Sequence, residues 1–269
     1  MTNTDTERRP FLGLVKTAPR RALASLSFAG KRGDFPVGLW TTLLDNWPAN
    51  ASARLTTIMC RRMLQLPNAV IVEMHYTVGT WLRDRFPAVY DHSPAHAYDV
   101  FDHLVTGLVS QGPTGTDSGR GTVSVGGVVV EQSRRTLDHA INGPIRNATE
   151  GLWQVLTKTE RIQGAGLPAE FTTRMERLLV SPGEGSDHAV CILCQHTSGL
   201  EHIDPAWTST RVLPWFNLAH PASEPAWNGL LWRQRLPSKS VWVAVKPHFL
   251  GLFAKIYGKR CDGAVRLAA

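Results

Sequence analysis

Residues 187–196, DHAVCILCQH, hold the densest group of side chains in the chain that could carry out chemistry. His188, Cys191, Cys194 and His196 lie within nine positions. Imidazole nitrogens and cysteine thiolates are the usual ligands of structural zinc. A metal site is therefore one hypothesis for these four residues, and a redox dithiol and a buried helix are the alternatives.

The rest of the chain favours the buried helix. Structural zinc sites usually draw two ligand pairs from separate elements, and the remaining cysteines, Cys60 and Cys261, are isolated from one another. A thioredoxin-type dithiol requires an adjacent strand–helix unit, which the pattern lacks. On a helix Cys191 and Cys194 point the same way, and cysteine packs as a small hydrophobic residue. We therefore predict a buried helix here, with metal binding by the four residues as the alternative.

The remaining motifs predict neither an active site nor a cofactor site. The loop GPTGTDSGRG has glycines but lacks the Lys-Ser/Thr pair and the preceding strand of a phosphate-binding loop. Glu73 and His75 lack the His-Glu-x-x-His order of a zinc protease, and no serine nucleophile elbow occurs. Other neighbouring acids and histidines fit solvated faces or helix ends: Asp99, Asp102, His103, Asp138, His139 and His220. We expect no catalytic residue and no cofactor.

Composition and charge are compatible with a solvated basic surface or with a surface that binds nucleic acid. The 269 residues are 43% hydrophobic and 19% charged, which is typical of a folded globular protein. The net charge of +7 permits contact with nucleic acid. The basic residues are scattered, with no run of five: Arg20, Arg21, Lys31, Arg32, Arg61, Arg62, Arg134 and Arg135. A solvated basic surface is the favoured interpretation, and a nucleic-acid-binding surface is the alternative.

The compartment is inferred from the first residues and the cysteines. The segment MTNTDTERRPFLGLV has no apolar leader region, and no stretch reaches the roughly 18 apolar residues of a membrane span. We expect a cytoplasmic protein with reduced thiols and no membrane association.

Helices must position these residues, because apolar side chains recur at spacings of three and four along most of the chain. Five such segments follow one another before residue 111, with short Pro or Gly punctuation between them. The predicted boundaries are Gly33, Pro48, Pro67 and Pro87 as helix ends, Asn50 or Ser52, Ser93 and Asp204 as N-caps, and Pro247 as a kink.

Residues 111–133 interrupt the helical pattern. Their first half is rich in Gly, Ser and Thr and predicts a loop, and TVSVGGVVV alternates like a short hairpin. The resulting division is a tail at 1–18, a helical half at 19–110, the insertion at 111–133, a second helical half at 134–255 and a tail at 256–269. Because short links make consecutive helices antiparallel neighbours, we predict an all-α fold. It is an irregular alpha-solenoid, a HEAT-like array of about ten to twelve helices with one Gly-rich insertion.

Six segments, taken together, resemble a known helical region. In chain order they are RALASLSFAGKRGDFPVGLWTTLLDNWP, RLTTIMCRRMLQLPNAVIVEMHYTVGTWL, RRTLDHAINGPIRNATEGLWQVL, GLPAEFTTRMERLLVSPGEGSDHAV, IDPAWTSTRVLPWF and AWNGLLW with LPSKSVWVAVKPHFLGLF. The set resembles the helical domain of unknown function that follows the sirtuin-like NAD-hydrolysing domain in large bacterial antiphage defence proteins. The resemblance covers residues 19–254, nearly the whole chain.

The resemblance implies a role for the chain and gives it no catalytic residues. In such proteins the sirtuin-like domain hydrolyses NAD, and the helical region is thought to scaffold or sense. This chain has no strand–Gly-rich loop–helix unit on which the family's catalytic residues could be placed. We expect a non-catalytic scaffold or sensor in antiviral defence, a fragment or separately encoded part of such a protein. Its expected partner is a protein, such as the sirtuin-like domain, and nucleic-acid binding by a basic helical-repeat face is the alternative.

Overall fold

The computed structural model describes residues 4–119, 123–130, 133–158 and 162–252. These residues form sixteen α-helices and one two-stranded hairpin, which confirms the expected helical class. The helices outnumber the ten to twelve that were expected, because several predicted helices are divided and because α1 (Thr4–Thr17) lies in the segment 1–18 that was expected to be a tail. Cys261 and the predicted tail at 256–269 lie outside the described residues.

Eight helices precede the insertion. They are α1 (Thr4–Thr17), α2 (Pro19–Lys31), α3 (Val37–Asp45), α4 (Ala53–Met63), α5 (Asn68–Glu73), α6 (His75–Asp84), α7 (Phe86–His92) and α8 (Pro94–Val109).

The insertion and the second half follow. A 3-10 turn (Gly112–Gly115) leads to β1 (Val123–Val125) and β2 (Val128–Val130). The helices after it are α9 (Leu137–Ala140), α10 (Pro144–Lys158), α11 (Ala169–Leu179), α12 (Gly185–Gln195), α13 (Thr197–Ile203), α14 (Pro205–Trp207), α15 (Ser223–Trp232) and α16 (239–252). A π-helical turn (Thr208–Val212) and a 3-10 turn (Leu213–Phe216) continue α14, and α16 stays helical through Pro247.

Several helix ends follow the predicted local signals. Gly33, just beyond α2, has a φ of +79°, the left-handed conformation that ends helices and favours glycine. Ser52 caps α4, because its hydroxyl accepts a hydrogen bond from the backbone N–H of Leu55. Asp204 caps α14 in the same way through the N–H of Trp207. These three predictions are confirmed.

Two other predicted boundaries are wrong. The single helix expected over residues 68–86 is divided at Met74, whose ψ of +18° departs from helical geometry. Pro87 does not end a helix. It is the second residue of α7, where its missing N–H breaks no hydrogen bond. Ser93 occupies the predicted N-cap position of α8, but its side chain does not cap the backbone, because its hydroxyl pairs with Nδ1 of His96 at 2.9 Å.

The second part of the insertion is the expected hairpin. β1 and β2 pair antiparallel, with Val125 opposite Val128. Gly126 and Gly127 form the turn between them, and both have positive φ. Two-residue hairpin turns favour glycine for this reason.

The first part of the insertion is fixed to the helices on either side of it. Ser118 is buried, and its hydroxyl and N–H both donate to Glu184, at 2.8 and 3.0 Å. Its carbonyl accepts from the hydroxyl of Tyr76 on α6 at 2.6 Å, and the hydroxyl of Thr116 donates to the Pro182 carbonyl. These bonds join the first half of the chain to the start of α12, so residues 116–118 do not form a free surface loop.

The core is continuous across the two halves. α10 packs against α6, α7 and α8 of the first half and against α11 and α12 of the second. Two glycines allow close approach of the helices. A Cβ on Gly151 of α10 would lie 2.1 Å from the Leu82 carbonyl oxygen of α6, and one on Gly229 of α15 would lie 2.1 Å from the Cys191 carbonyl oxygen of α12. One apolar cluster extends from Val15 to Val245.

Within the described ranges, no helix combines the length and the apolar character that crossing a bilayer would require.

Candidate functional site

Cys191 and Cys194 lie on α12, which is the predicted buried helix. Neither side chain is accessible to solvent, but the two belong to different apolar clusters. Cys191 packs with Leu137 and Ala140 of α9, whereas Cys194 lies in the main core. Burial raises the pKa of Cys191 to about 12 and raises that of Cys194 well above its ordinary value. Both thiols are therefore protonated packing groups, whereas metal ligation requires thiolates.

His188 is buried on α12 and faces the end of the insertion. Its Nε2 lies 3.7 Å from a carboxylate oxygen of Glu184 and 3.4 Å from the Arg134 carbonyl oxygen. Burial lowers the pKa of His188 and outweighs the opposing effect of the Glu184 charge, so the ring is neutral at pH 7. Arg134 donates to the other oxygen of Glu184 at 2.8 Å. The contacts among His188, Glu184 and Arg134 hold the chain that follows the hairpin against α12.

His196 follows α12 and lies in a different environment. Its ring stacks on Trp153, with centroids 4.2 Å apart and planes at 19°. Its Nδ1 lies 3.2 Å from a guanidinium nitrogen of Arg233, and its Nε2 lies 3.8 Å from a carboxylate oxygen of Glu150. A guanidinium can only donate, so Nδ1 is the acceptor and the proton of a neutral His196 lies on Nε2, facing Glu150.

The four candidate metal ligands, His188, Cys191, Cys194 and His196, thus lie on or next to α12 but in separate environments. Two are core thiols, one is a buried histidine at the insertion, and one is a histidine at the edge of a pocket. Among the described residues, no group of three or more His, Cys, Asp and Glu side chains could hold a metal ion.

A broad open cleft lies between α9, α15 and α16. Its volume is about 1500 Å³. One part of its lining is apolar and comprises Leu218, Trp227, Leu231, Trp232 and Leu252. The indole of Trp232 is 50% exposed and the side chain of Leu231 is 48% exposed. Five of the ten large hydrophobic residues exposed in the described part of the chain follow residue 230: Leu231, Trp232, Leu236, Val243 and Leu250. Of these five, Leu231 and Trp232 line the cleft, and exposed apolar side chains that lie together are typical of interaction surfaces.

The other part of the cleft is polar and rigidly held. Arg135 forms two hydrogen bonds with the Asp187 carboxylate, at 2.8 and 3.0 Å, and lies 3.9 Å from Glu224. The hydrogen bond to Asp187 raises the pKa of Arg135 further. Asn228 on α15 accepts from the backbone N–H of Leu137 at 2.9 Å. The cleft therefore combines an exposed apolar rim with polar groups that are already oriented.

The positive charge of the chain is concentrated in residues 18–67, which we call the basic segment. It contains seven Lys and Arg and two Asp and Glu, a net charge of +5 out of the total of +7. Six of the cations are exposed: Arg20, Arg21, Lys31, Arg32, Arg54 and Arg61. None of the six forms an ion pair with another described residue, and the two helices that carry most of them, α2 and α4, are in contact. The basic residues are therefore less scattered than the sequence predicted.

Comparison of the chain with known protein families, curated proteins and solved structures finds no match. The likeness to the sirtuin-associated helical region therefore rests on the segments themselves.

Sequence reasoning missed Glu150, Trp153 and Arg233 as partners of His196. Glu150 and Trp153 lie three positions apart on α10, which places them on one face, but nothing in that spacing points to His196. Arg233 and His196 are 37 positions apart. The basic segment, in contrast, can be found by counting charges along the chain.

Proposed function

We propose that this chain is a non-catalytic helical scaffold or sensor that binds a protein partner in the cleft between α9, α15 and α16. The observation that supports the proposal is the exposure of Trp232 and Leu231 at the rim of a cleft with oriented polar groups. Aromatic side chains of this kind are enriched among the residues that dominate binding energy at protein interfaces. The polar groups would fix the orientation of the bound segment.

The partner in this proposal is a sirtuin-like NAD-hydrolysing protein, with this chain as a fragment or separately encoded part of an antiphage defence protein in the cytoplasm. The ordered resemblance over residues 19–254 supports it. The irregular solenoid arrangement is part of the same proposal. Pairs of consecutive helices such as α1–α2, α2–α3, α6–α7 and α7–α8 pack as neighbours. α10 departs from it, because solenoid units contact only their neighbours, whereas α10 packs against α6, α7 and α8 as well as against α11 and α12.

The test is a binding measurement with the sirtuin-like protein encoded beside this reading frame, which sequencing of both flanks in the host identifies. We expect wild type to bind and Trp232→Ser to weaken binding by about tenfold or more, since loss of an aromatic side chain that dominates an interface costs about 2 kcal/mol or more. Phe28→Ser is the matched control. It removes an aromatic side chain that is 64% exposed on α2, outside the cleft. Equal affinity of the Trp232 variant, or the absence of a sirtuin-like coding segment, would overturn the proposal.

Nucleic-acid binding by the basic segment is the second candidate function. The six exposed cations without ion-pair partners among the described residues favour it. Binding of this kind neutralises phosphates and releases counterions, so the affinity falls steeply as salt increases. A titration of duplex DNA and single-stranded RNA at several salt concentrations tests it. Failure to bind either at low salt would exclude it.

A further inference from the structure

A smaller pocket lies beside the C-terminal end of α15 and shares no lining residue with the cleft. Its volume is about 420 Å³, which is within the range of small-molecule sites. Arg233, Arg235 and His196 provide polar lining, and Trp153 and Leu230 provide an apolar wall. A pocket lined by two guanidinium groups and an apolar wall is complementary to a ligand that has an anionic group and a small organic part.

His196 is contacted on one face of its ring and at both ring nitrogens. Trp153 stacks on one face, and Glu150 lies beside Nε2. Arg233 donates to Nδ1 from the pocket side. The guanidinium has five N–H donors, so Arg233 can turn its remaining donors toward a ligand or exchange its contact with Nδ1 for an anion.

The chain between the two arginines adopts an unusual conformation. Gln234 has a φ of +51°, and it is the one described non-glycine residue with positive φ. Glycine is the usual residue in this left-handed position after a helix. The turn at Gln234 places Arg233 and Arg235 on the lining of the same pocket. Strained backbone is concentrated at functional sites in proteins.

The charges around the pocket do not cancel. Among the residues that the structure describes, two arginines (Arg233 and Arg235) and no acidic side chain line it, which gives the lining a charge of +2 when His196 is neutral. Arg235 forms no ion pair within the described parts of the chain. A phosphate monoester carries a charge of about −1.5 to −2 at pH 7, which complements this excess better than a single carboxylate does.

We propose that this pocket binds a small phosphate monoester, whose phosphoryl oxygens accept hydrogen bonds from Arg233 and Arg235 and whose organic part packs against Leu230 and Trp153. Arginine forks match phosphate oxygens in geometry as well as in charge. The site is separate from the cleft, so this inference does not depend on the binding of a protein partner.

Calorimetric titration of the full chain at constant ionic strength tests the ligand class. The probes are phenyl phosphate, inorganic phosphate and benzoate. We expect phenyl phosphate to bind most tightly, because it adds an apolar contact to the phosphate, and benzoate to bind at least about tenfold more weakly. Benzoate binding as tightly as phenyl phosphate would overturn the phosphate assignment. Absence of binding by phenyl phosphate at about millimolar concentration would overturn the site itself.

Variants test the position of the site. Arg233→Gln/Arg235→Gln should weaken phenyl phosphate binding by about tenfold or more. Arg20→Gln/Arg21→Gln removes the same charge from the basic segment and should bind like wild type. In wild type the ring-nitrogen NMR resonances of His196 should shift on titration, because Arg233 changes its contact with Nδ1. Unchanged affinity of the Arg233/Arg235 variant, with circular dichroism showing it folded, would overturn the proposal. If that variant does not fold, Arg233→Lys/Arg235→Lys keeps the charge and should bind more weakly than wild type, since lysine lacks the fork.

Discussion

The basic segment and the chain around α12 use the same residue types in opposite ways. In the basic segment the cations are exposed and have no ion-pair partner in the described part of the chain. Around α12, Arg134 is paired with Glu184 and Arg135 with Asp187, and both pairs join the end of the insertion to the helix. The first arrangement leaves charge available to a ligand, whereas the second uses charge to position helices. Net charge alone cannot distinguish the two.

Replacement of a buried glycine should have the largest effect. Gly229→Ala places a Cβ 2.1 Å from the Cys191 carbonyl oxygen, so α15 and α12 must separate. We expect the free energy of unfolding to fall by about 3 kcal/mol, which is the upper part of the range for overpacked cores. Urea unfolding followed by circular dichroism measures this change. Gly151→Ala, opposite Leu82 on α6, should behave similarly.

Gly13→Ala is the control for this prediction, because nothing lies within 4 Å of the added Cβ on α1. Alanine is favoured over glycine inside helices, so this variant should be more stable by about 0.5–1 kcal/mol. A Gly229→Ala variant within about 0.5 kcal/mol of wild type would show that the two helices are not in close contact.

The buried cysteines provide a second test, because they occur both in the basic segment and on α12. Cys60 on α4 and Cys191 and Cys194 on α12 are equally inaccessible to solvent. If all three only pack, each change to Ala should cost about 1–3 kcal/mol of stability. A chelator should then leave the melting temperature of the wild type unchanged. Stoichiometric zinc in the purified protein, or a much larger cost at Cys191 and Cys194 than at Cys60, would instead support the metal hypothesis for α12.

Replacement of exposed arginines in the basic segment should have a smaller effect, which is confined to the affinity for nucleic acid. If Arg20 and Arg21 contact phosphates, Arg20→Gln/Arg21→Gln should reduce the slope of log affinity against log salt by about two. We expect the affinity at low salt to fall by about tenfold, measured by fluorescence anisotropy. Lys239→Gln/Lys246→Gln removes two exposed lysines from α16 and should leave the slope unchanged. Equal slopes for both double variants would place binding outside the basic segment.

Local features of the fold could be predicted from the sequence, and the pocket could not. Ser52, Asp204 and Gly33 act on backbone groups within a few positions, so their residue types suffice to place helix ends. Ser118 and Glu184 are 66 positions apart. Their contact depends on how the insertion packs against the start of α12. Its neighbours in the sequence make His196 a candidate metal ligand, whereas its neighbours in space are Trp153, Glu150 and Arg233. Only the assembled helices reveal that environment.

The smallest expected effect is a pH dependence of stability that arises from His188. Because burial lowers its pKa in the folded chain, the unfolded chain, with an ordinary value of about 6.5, binds more protons below that pH. The contribution of His188 to the free energy of unfolding is therefore fully present above about pH 6.5. It falls as the pH decreases toward the pKa of His188 in the folded chain. Glu184 also has a lowered pKa, since its bonds to Ser118 and Arg134 outweigh the opposing effect of burial. Its contribution is lost only below about pH 4.5, the ordinary range of a glutamate.

The window from pH 6.5 down to pH 5 therefore separates the contribution of His188 from that of Glu184. Urea unfolding at several pH values in this window should show wild-type stability decreasing with acidification. His188→Gln should flatten the dependence, whatever its effect on absolute stability, because glutamine does not titrate. His92→Gln removes an exposed histidine at the end of α7 and should keep the wild-type slope. A His188→Gln variant with the wild-type slope would mean that another group titrates there. The contact between α12 and the insertion would then not be what acid weakens.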